Sequence, residues 1–135
     1  MNLEKLLDIA ENDGIGIHDF PMKNNIALSV RVDGECDIAI DFSKTKSNYE
    51  LKSLLAHELG HCETMSFYNR DNYLDIASKQ EYRANSWAVK ALLPRGAFLR
   101  AIYSGCNEVW KLSEHFNVEP HMVVFALKFY FGIEV

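Results

Sequence analysis

Several things are scarce in this chain, and each scarcity excludes something. Its three cysteines, Cys36, Cys62 and Cys106, are odd in number and widely scattered. That pattern offers neither a disulfide framework nor a paired-cysteine zinc knuckle. It predicts buried free thiols in a reducing cytosol. No apolar run approaches the roughly 20 residues a membrane-spanning helix needs. The opening residues, Met1-Asn2-Leu3-Glu4-Lys5, lack the basic and apolar regions of a secretory signal, so a cytoplasmic protein is expected. Positive charge is also short: 14 Lys and Arg stand against 19 Asp and Glu, a net charge of −5. That balance argues against wholesale binding of nucleic acid or anionic lipid and suits a basic protein partner. At 135 residues, one domain over residues 1–135 with a real core is the simplest expectation.

What is present is concentrated in Leu54-Leu55-Ala56-His57-Glu58-Leu59-Gly60-His61. On a helix of 3.6 residues per turn, His57 and His61 project from nearly one face and can grip one cation. Imidazole nitrogen suits Zn²⁺, and two such donors leave room for a third protein ligand and a water. Mn²⁺ or Fe²⁺ would also accept two imidazoles and a carboxylate. Glu58 lies about 100° further round the helix, where it reaches a water rather than the metal. This H-E-x-x-H spacing is that of a metalloprotease whose Glu is the general base. Leu51, Leu54 and Leu55 anchor the helix in a core. Gly60 costs about 1 kcal/mol relative to Ala in a helix interior, which predicts that a side chain there would crowd the site or a packed neighbour.

The flanking chain reads as α+β. Leu3, Leu6, Leu7 and Ala10 predict a helix over residues 2–13, stopped by Gly14. An extended piece from Ile15 to Phe20 follows, with His18 read as a half-buried structural residue. Alternating apolar residues at 26–32 and 36–40, separated by Asp33-Gly34, predict a two-residue β-hairpin. That hairpin is a candidate substrate edge, to which an extended peptide adds by main-chain hydrogen bonds, or else it simply backs the helices. Ser47-Asn48-Tyr49-Glu50 has the form of a capping box that starts the metal helix near residue 48. Turn-prone Asn69, Asp71 and Asn72 predict a surface loop through about residue 77.

A return helix is expected from Ser78 to Leu93, ended by Pro94. Glu81, Asn85, Ala88 and Leu92 share one stripe, small enough at Ala84 and Ala88 for a close helix approach. Glu81 is the best-placed carboxylate for a third ligand, and Asn85 could orient a ligating imidazole. Further helices are expected over Ala97–Tyr103, Asn107–Phe116 and Pro120–Phe131. The last pair has a superficial helix-turn-helix look, but two lysines face four glutamates from residue 107 onward, the wrong balance for phosphate contacts. Tyr82, Tyr103, His115 and His121 are open candidates for stabilising an oxyanion.

The run His57-Glu58-Leu59-Gly60-His61, then Glu81-x-x-Ala84-Asn85-x-Trp87-Ala88, then Leu92-Leu93-Pro94, resembles the ImmA/IrrE family of metallo-endopeptidases. The likeness runs from near Ile15 through Pro94 and resumes at Leu112–Val118. Trp87 stands where the family more often has Phe, and Leu93 where Met is common, both conservative apolar changes. The resemblance implies a zinc protease with His57, His61 and Glu81 as metal ligands and Glu58 as base. The resemblance further implies an origin in phages, mobile elements or stress loci, and a helix-turn-helix repressor as substrate. The expected architecture is α+β: a small antiparallel sheet, built on the hairpin of residues 26–41, packed on a zincin-like pair of active-site helices and closed by C-terminal helices. No added sensory domain is expected after Val135. The competing expectation is a non-catalytic antirepressor that keeps the fold and sequesters its partner; the presence of Glu58 speaks against it. A DNA-binding accessory protein is a third, disfavoured by the acidic balance.

Overall fold

A computed structural model describes residues 1–67 and 73–135. Its order is α1 (Leu3–Asn12), β1 (Gly16–Asp19), β2 (Ala27–Val32), β3 (Glu35–Ile40), α2 (Asn48–Thr64), α3 (Tyr73–Leu92), α4 (Arg95–Tyr103), α5 (Val109–Phe116) and α6 (Pro120–Phe131). The α+β class agrees with the sequence reading. The sheet order is β1-β3-β2: β2 pairs antiparallel with β3, and β1 joins β3 in parallel register, Ile17 opposite Ile38. The sheet is therefore mixed, and β2 is one of its edges.

The hairpin turns at Asp33 and Gly34, whose φ angles of 53° and 81° are the left-handed pair a two-residue turn with the twist of its strands requires. Which face of β2 is buried departs from the plain alternation rule. Leu28, Val30 and Val32 face solvent, while the core side of the sheet is filled by Ile38 and Ile40 of β3. Small Ala27 and Ser29 stand opposite those two residues. Helix α2 packs against this inner face, and short side chains on β2 let it come close.

Helix α2 is the central element. Ser47 caps it, its hydroxyl accepting from the Glu50 amide at 3.1 Å. Buried residues occur all round it, from Lys52 to Cys62. Lys52 donates to the Phe116 carbonyl at 2.8 Å, and burial lowers the pKa of its ammonium group. The Ser53 hydroxyl accepts from the Glu119 amide at 3.0 Å. These two bonds tie the α5–α6 junction to the metal-motif helix. Leu55 and Leu59 join Leu6, Ile38, Val89, Leu92, Phe98, Leu112 and Met122 in the core. Of the loop expected from Asn69 to about residue 77, the part up to residue 72 lies outside the described residues, and residues 73–77 already belong to α3. No Gly or Pro between Tyr73 and Pro94 opposes that longer helix. On α6, Val124 is exposed and Phe125 and Phe129 are only partly buried, so the apolar residues around it are not all in the core.

The expectation of three free thiols is corrected. Cys36 and Cys62 form a disulfide, with Cα atoms 5.8 Å apart across a sequence separation of 26, and Cys106 remains free. The hairpin folds back on the last turns of α2, a meeting that cysteine spacing alone does not reveal. Closing a loop of that length stabilises by about 3 kcal/mol on chain-entropy grounds. His18 is also corrected: it is exposed, pairing with Asp37 at 3.1 Å, because β1 turns it to the outer face of the sheet.

Gly60 sits where α2 meets α3. A Cβ built there would lie 2.9 Å from the Ala84 Cα and closer still to its carbonyl oxygen. Both are backbone atoms, which cannot swing aside. Gly60→Ala is therefore expected to lower stability by about 1–3 kcal/mol through overpacking, despite the better helix propensity of Ala. Thermal unfolding checks this, and an unchanged or raised Tm would contradict the contact.

Candidate metal centre

The sense in which α2 and α3 pack brings His57 to Asn85 and His61 to Glu81. Nε2 of His57 lies 2.9 Å from one Glu81 carboxylate oxygen, and Nε2 of His61 lies 3.2 Å from the other. The two Nε2 atoms are 3.2 Å apart. His61 is buried, and His57 and Glu81 are partly so. Among the described residues, these three form the only cluster of histidine, cysteine and carboxylate donors that could hold an ion.

The other ring nitrogens decide what those donor atoms are. Nδ1 of His61 is 2.5 Å from the Ser66 carbonyl oxygen. A carbonyl only accepts, so Nδ1 carries the hydrogen, and in the neutral ring Nε2 is left as a bare lone pair. Nδ1 of His57 is 2.7 Å from the Asn85 side-chain oxygen, with the same consequence. Two imidazole lone pairs and a carboxylate therefore confront one another with nothing of opposite charge between them. A proton would satisfy one of these contacts; a cation at the centre satisfies all of them. The spacing fits as well. Tetrahedral donors at Zn–N lengths of 2.0–2.1 Å sit about 3.3 Å from one another; the two imidazole nitrogens are 3.2 Å apart, and one donor atom from each of the three residues lies within 4.8 Å of the others.

The hold on His61 is built by a turn. Met65 ends α2 in the left-handed conformation, φ 53° and ψ 38°. The chain then folds back, so that the Ser66 amide donates to the His61 carbonyl at 3.0 Å while the Ser66 carbonyl takes the ring hydrogen. Thr64 and Ser66 hydroxyls meet at 2.5 Å and brace the turn. Sequence reasoning found Asn85 through its helical spacing from Glu81. It missed Ser66, which acts through its backbone and so leaves no mark in residue identity.

Glu58 is buried, 8% exposed, and opens on the same cleft as His61 and Glu81. That cleft, about 410 Å³, is lined on its far side by Ala27 to Arg31 of the β2 edge and by Phe67. A second cleft of about 530 Å³ on the other side of the donor cluster is lined by His57, Asn85, Glu119 and His121. Of the four oxyanion candidates, His121 alone shares a cleft wall with His57. His121 is exposed overall, but partial burial of its ring pulls the imidazole below the ordinary histidine range; Glu119 opposes that shift and His57 adds to it. Tyr82 turns its ring to Phe125 and Phe129. Tyr103 is 85% exposed at the end of α4, and His115 is exposed beside Phe116.

The bond from Asn85 is expected to matter to metal affinity. Asn85→Ala should weaken zinc binding about 10–100-fold, the usual effect of removing a partner that orients an imidazole. Competition against a chromophoric chelator measures it, and unchanged affinity would show that Asn85 does not orient His57.

A family model described as the IrrE N-terminal-like domain, Peptidase_M78, matches residues 10–128. No curated protein and no solved structure matches. The matched span runs from the end of α1 through most of α6 and holds all four motif residues, so the chain belongs to the IrrE N-terminal-like family of metallopeptidase-type domains.

Proposed function

We propose that residues 1–135 act as one zinc-dependent endopeptidase unit, with His57, His61 and Glu81 as metal ligands and Glu58 as general base. The observation that carries this reading is the cleft itself. Two of the three converging donors, His61 and Glu81, line it with the buried Glu58 carboxylate and an open strand edge, and His57 joins them from the neighbouring cleft. Zn²⁺ held by the three side chains would supply a Lewis acid, bringing the pKa of a water towards ~7 and polarising a carbonyl.

The chain's own residues do the rest. The free edge of β2 binds an extended stretch of substrate through main-chain hydrogen bonds. Asn85 and the Ser66 carbonyl keep both imidazoles in one tautomer and orientation. Glu58 takes a proton from the attacking water as its hydroxyl adds to the scissile carbonyl carbon. The same carboxyl then delivers that proton to the amide nitrogen as the C–N bond breaks. His121, at the wall shared with His57, is the side chain best placed to donate to the developing oxyanion. Beyond His121 lies a groove of about 690 Å³ that includes Tyr82, Val124, Phe125 and Phe129, suited to a bulky apolar residue near the cut.

Charge and the resemblance support the proposed substrate class. A chain of net charge −5 attracts a basic protein, and a helix-turn-helix repressor of a phage or mobile element, itself a DNA-binding protein, has that character. A cytoplasmic setting goes with such a partner. No helix among the described residues is long and apolar enough to cross a membrane.

Glu58→Gln keeps the shape of the side chain and removes its basicity. It should retain zinc and lose at least about 10²-fold in cleavage rate, read by mass spectrometry on a panel of helix-turn-helix repressors. Cleavage at the wild-type rate would remove Glu58 from the mechanism. Intact repressor held in a stable complex by the wild-type protein would favour the sequestering antirepressor instead.

A further inference from the structure

The Cys36–Cys62 bridge lies in a telling place. Cys62 follows His61 directly on α2, and Cys36 sits on β3, opposite Arg31 of the strand that edges the cleft. Burial along the hairpin is graded. Ile38 and Ile40 are fully buried at its base, whereas Val30, Arg31, Val32, Asp33, Gly34 and Glu35 at its tip are all exposed. The tip half has little apolar surface to hold it down; the disulfide joins it to the body of the protein.

The bridge is also within reach of reagents. A cleft of about 450 Å³ is lined by both cysteines, with Gly34, Glu35 and Glu63 around them. Arg31 and Phe67 line this cleft and the cleft beside Glu58 alike. Phe67 stacks on the His61 ring, centroids 6.5 Å apart and planes at 29°. Anything that moves the tip of the hairpin therefore moves a wall of the cleft that holds the donor cluster.

We propose that Cys36 and Cys62 form a thiol–disulfide modification site, exchanged by a dithiol reductant, whose state sets whether the β2 edge is pinned against the metal-motif helix. One thiolate of the reductant attacks a bridge sulfur, the Cys36–Cys62 bond breaks, and a mixed disulfide forms. The second thiol of the reductant displaces the protein thiol. The products are two protein thiols and an oxidised reductant, and a disulfide oxidant reverses the exchange. In a cytosolic setting, a bridge of this kind is of the redox-responsive class rather than the structural class. Pinned, the edge is preorganised for an extended chain; released, it must be ordered anew by each substrate. This consequence for cleavage rests on the peptidase reading above, whereas the exchange and its effect on the hairpin do not.

The test uses the intact chain equilibrated with oxidised glutathione or with a phosphine reductant. Alkylation and mass analysis should count one free thiol in the first case and three in the second. Hydrogen exchange at residues 30–36 should quicken on the order of tenfold on reduction, with the centres of α2 and α3 unchanged. Cys36→Ser should show the fast rate in both conditions, and Cys62→Ala provides the same comparison from the other partner. With a cleavable peptide, reduction should raise KM several-fold and leave kcat nearly unchanged in the wild type only. Three alkylated thiols in oxidised glutathione, or equal exchange at the tip in both states, would overturn the proposal. Absence of cleavage in either state would count against the peptidase reading, and the exchange data would still decide this one.

Discussion

The structure depends on how closely α2 can approach α3. That approach is set at Gly60, where the backbone of Ala84 occupies the space a side chain would need. With the helices this near, His57 falls beside Asn85 and His61 beside Glu81, and both imidazoles reach one carboxylate. A wider spacing would leave two surface histidines and an unrelated acid. Ala84 and Ala88, both fully buried, keep the remainder of the interface thin. Everything else in the fold supports this pair. The sheet backs α2, and Lys52 and Ser53 anchor the C-terminal helices to it.

Without a cation, the centre so built is electrostatically unfavourable. Two imidazole nitrogens 3.2 Å apart each face a different oxygen of one carboxylate, at 2.9 and 3.2 Å, in a partly buried site, with both ring hydrogens already committed elsewhere. Such a cluster raises the energy of the folded chain, and an ion that binds it returns that energy as affinity. The same logic accounts for the left-handed Met65, a conformation disfavoured for a side-chain-bearing residue. Its reward is the Ser66 carbonyl on His61. Of the left-handed residues with a side chain among the described residues, Asp33, Met65 and Asn117, Met65 is the one that serves the site.

Much of this was legible in the sequence, for identifiable reasons. Helical spacing singled out His57, Glu58, His61, Glu81 and Asn85, which the structure brings near one another, because helix geometry converts sequence distance directly into facing. Asp33-Gly34 gave the hairpin, since few other pairs accept two left-handed residues in a row. Legibility ended where the third dimension took over. The period of β2 was read, but its buried face was decided by how near α2 packs. The parallel pairing of β1 is a crossover that no local pattern encodes. The Cys36–Cys62 contact arises from the hairpin folding onto the helix end, and cysteines at that separation look unrelated in one dimension. Ser66 works through a carbonyl, which every residue has.

The claim that joins these features is that His57, His61 and Glu81 hold a metal ion. Elemental analysis of the purified protein beside Glu81→Ala tests it most directly. The account predicts close to one zinc per wild-type chain and a sharp loss in the variant, with the variant still folded by circular dichroism. A metal-free wild type after zinc is supplied, or equal zinc in both proteins, would contradict it.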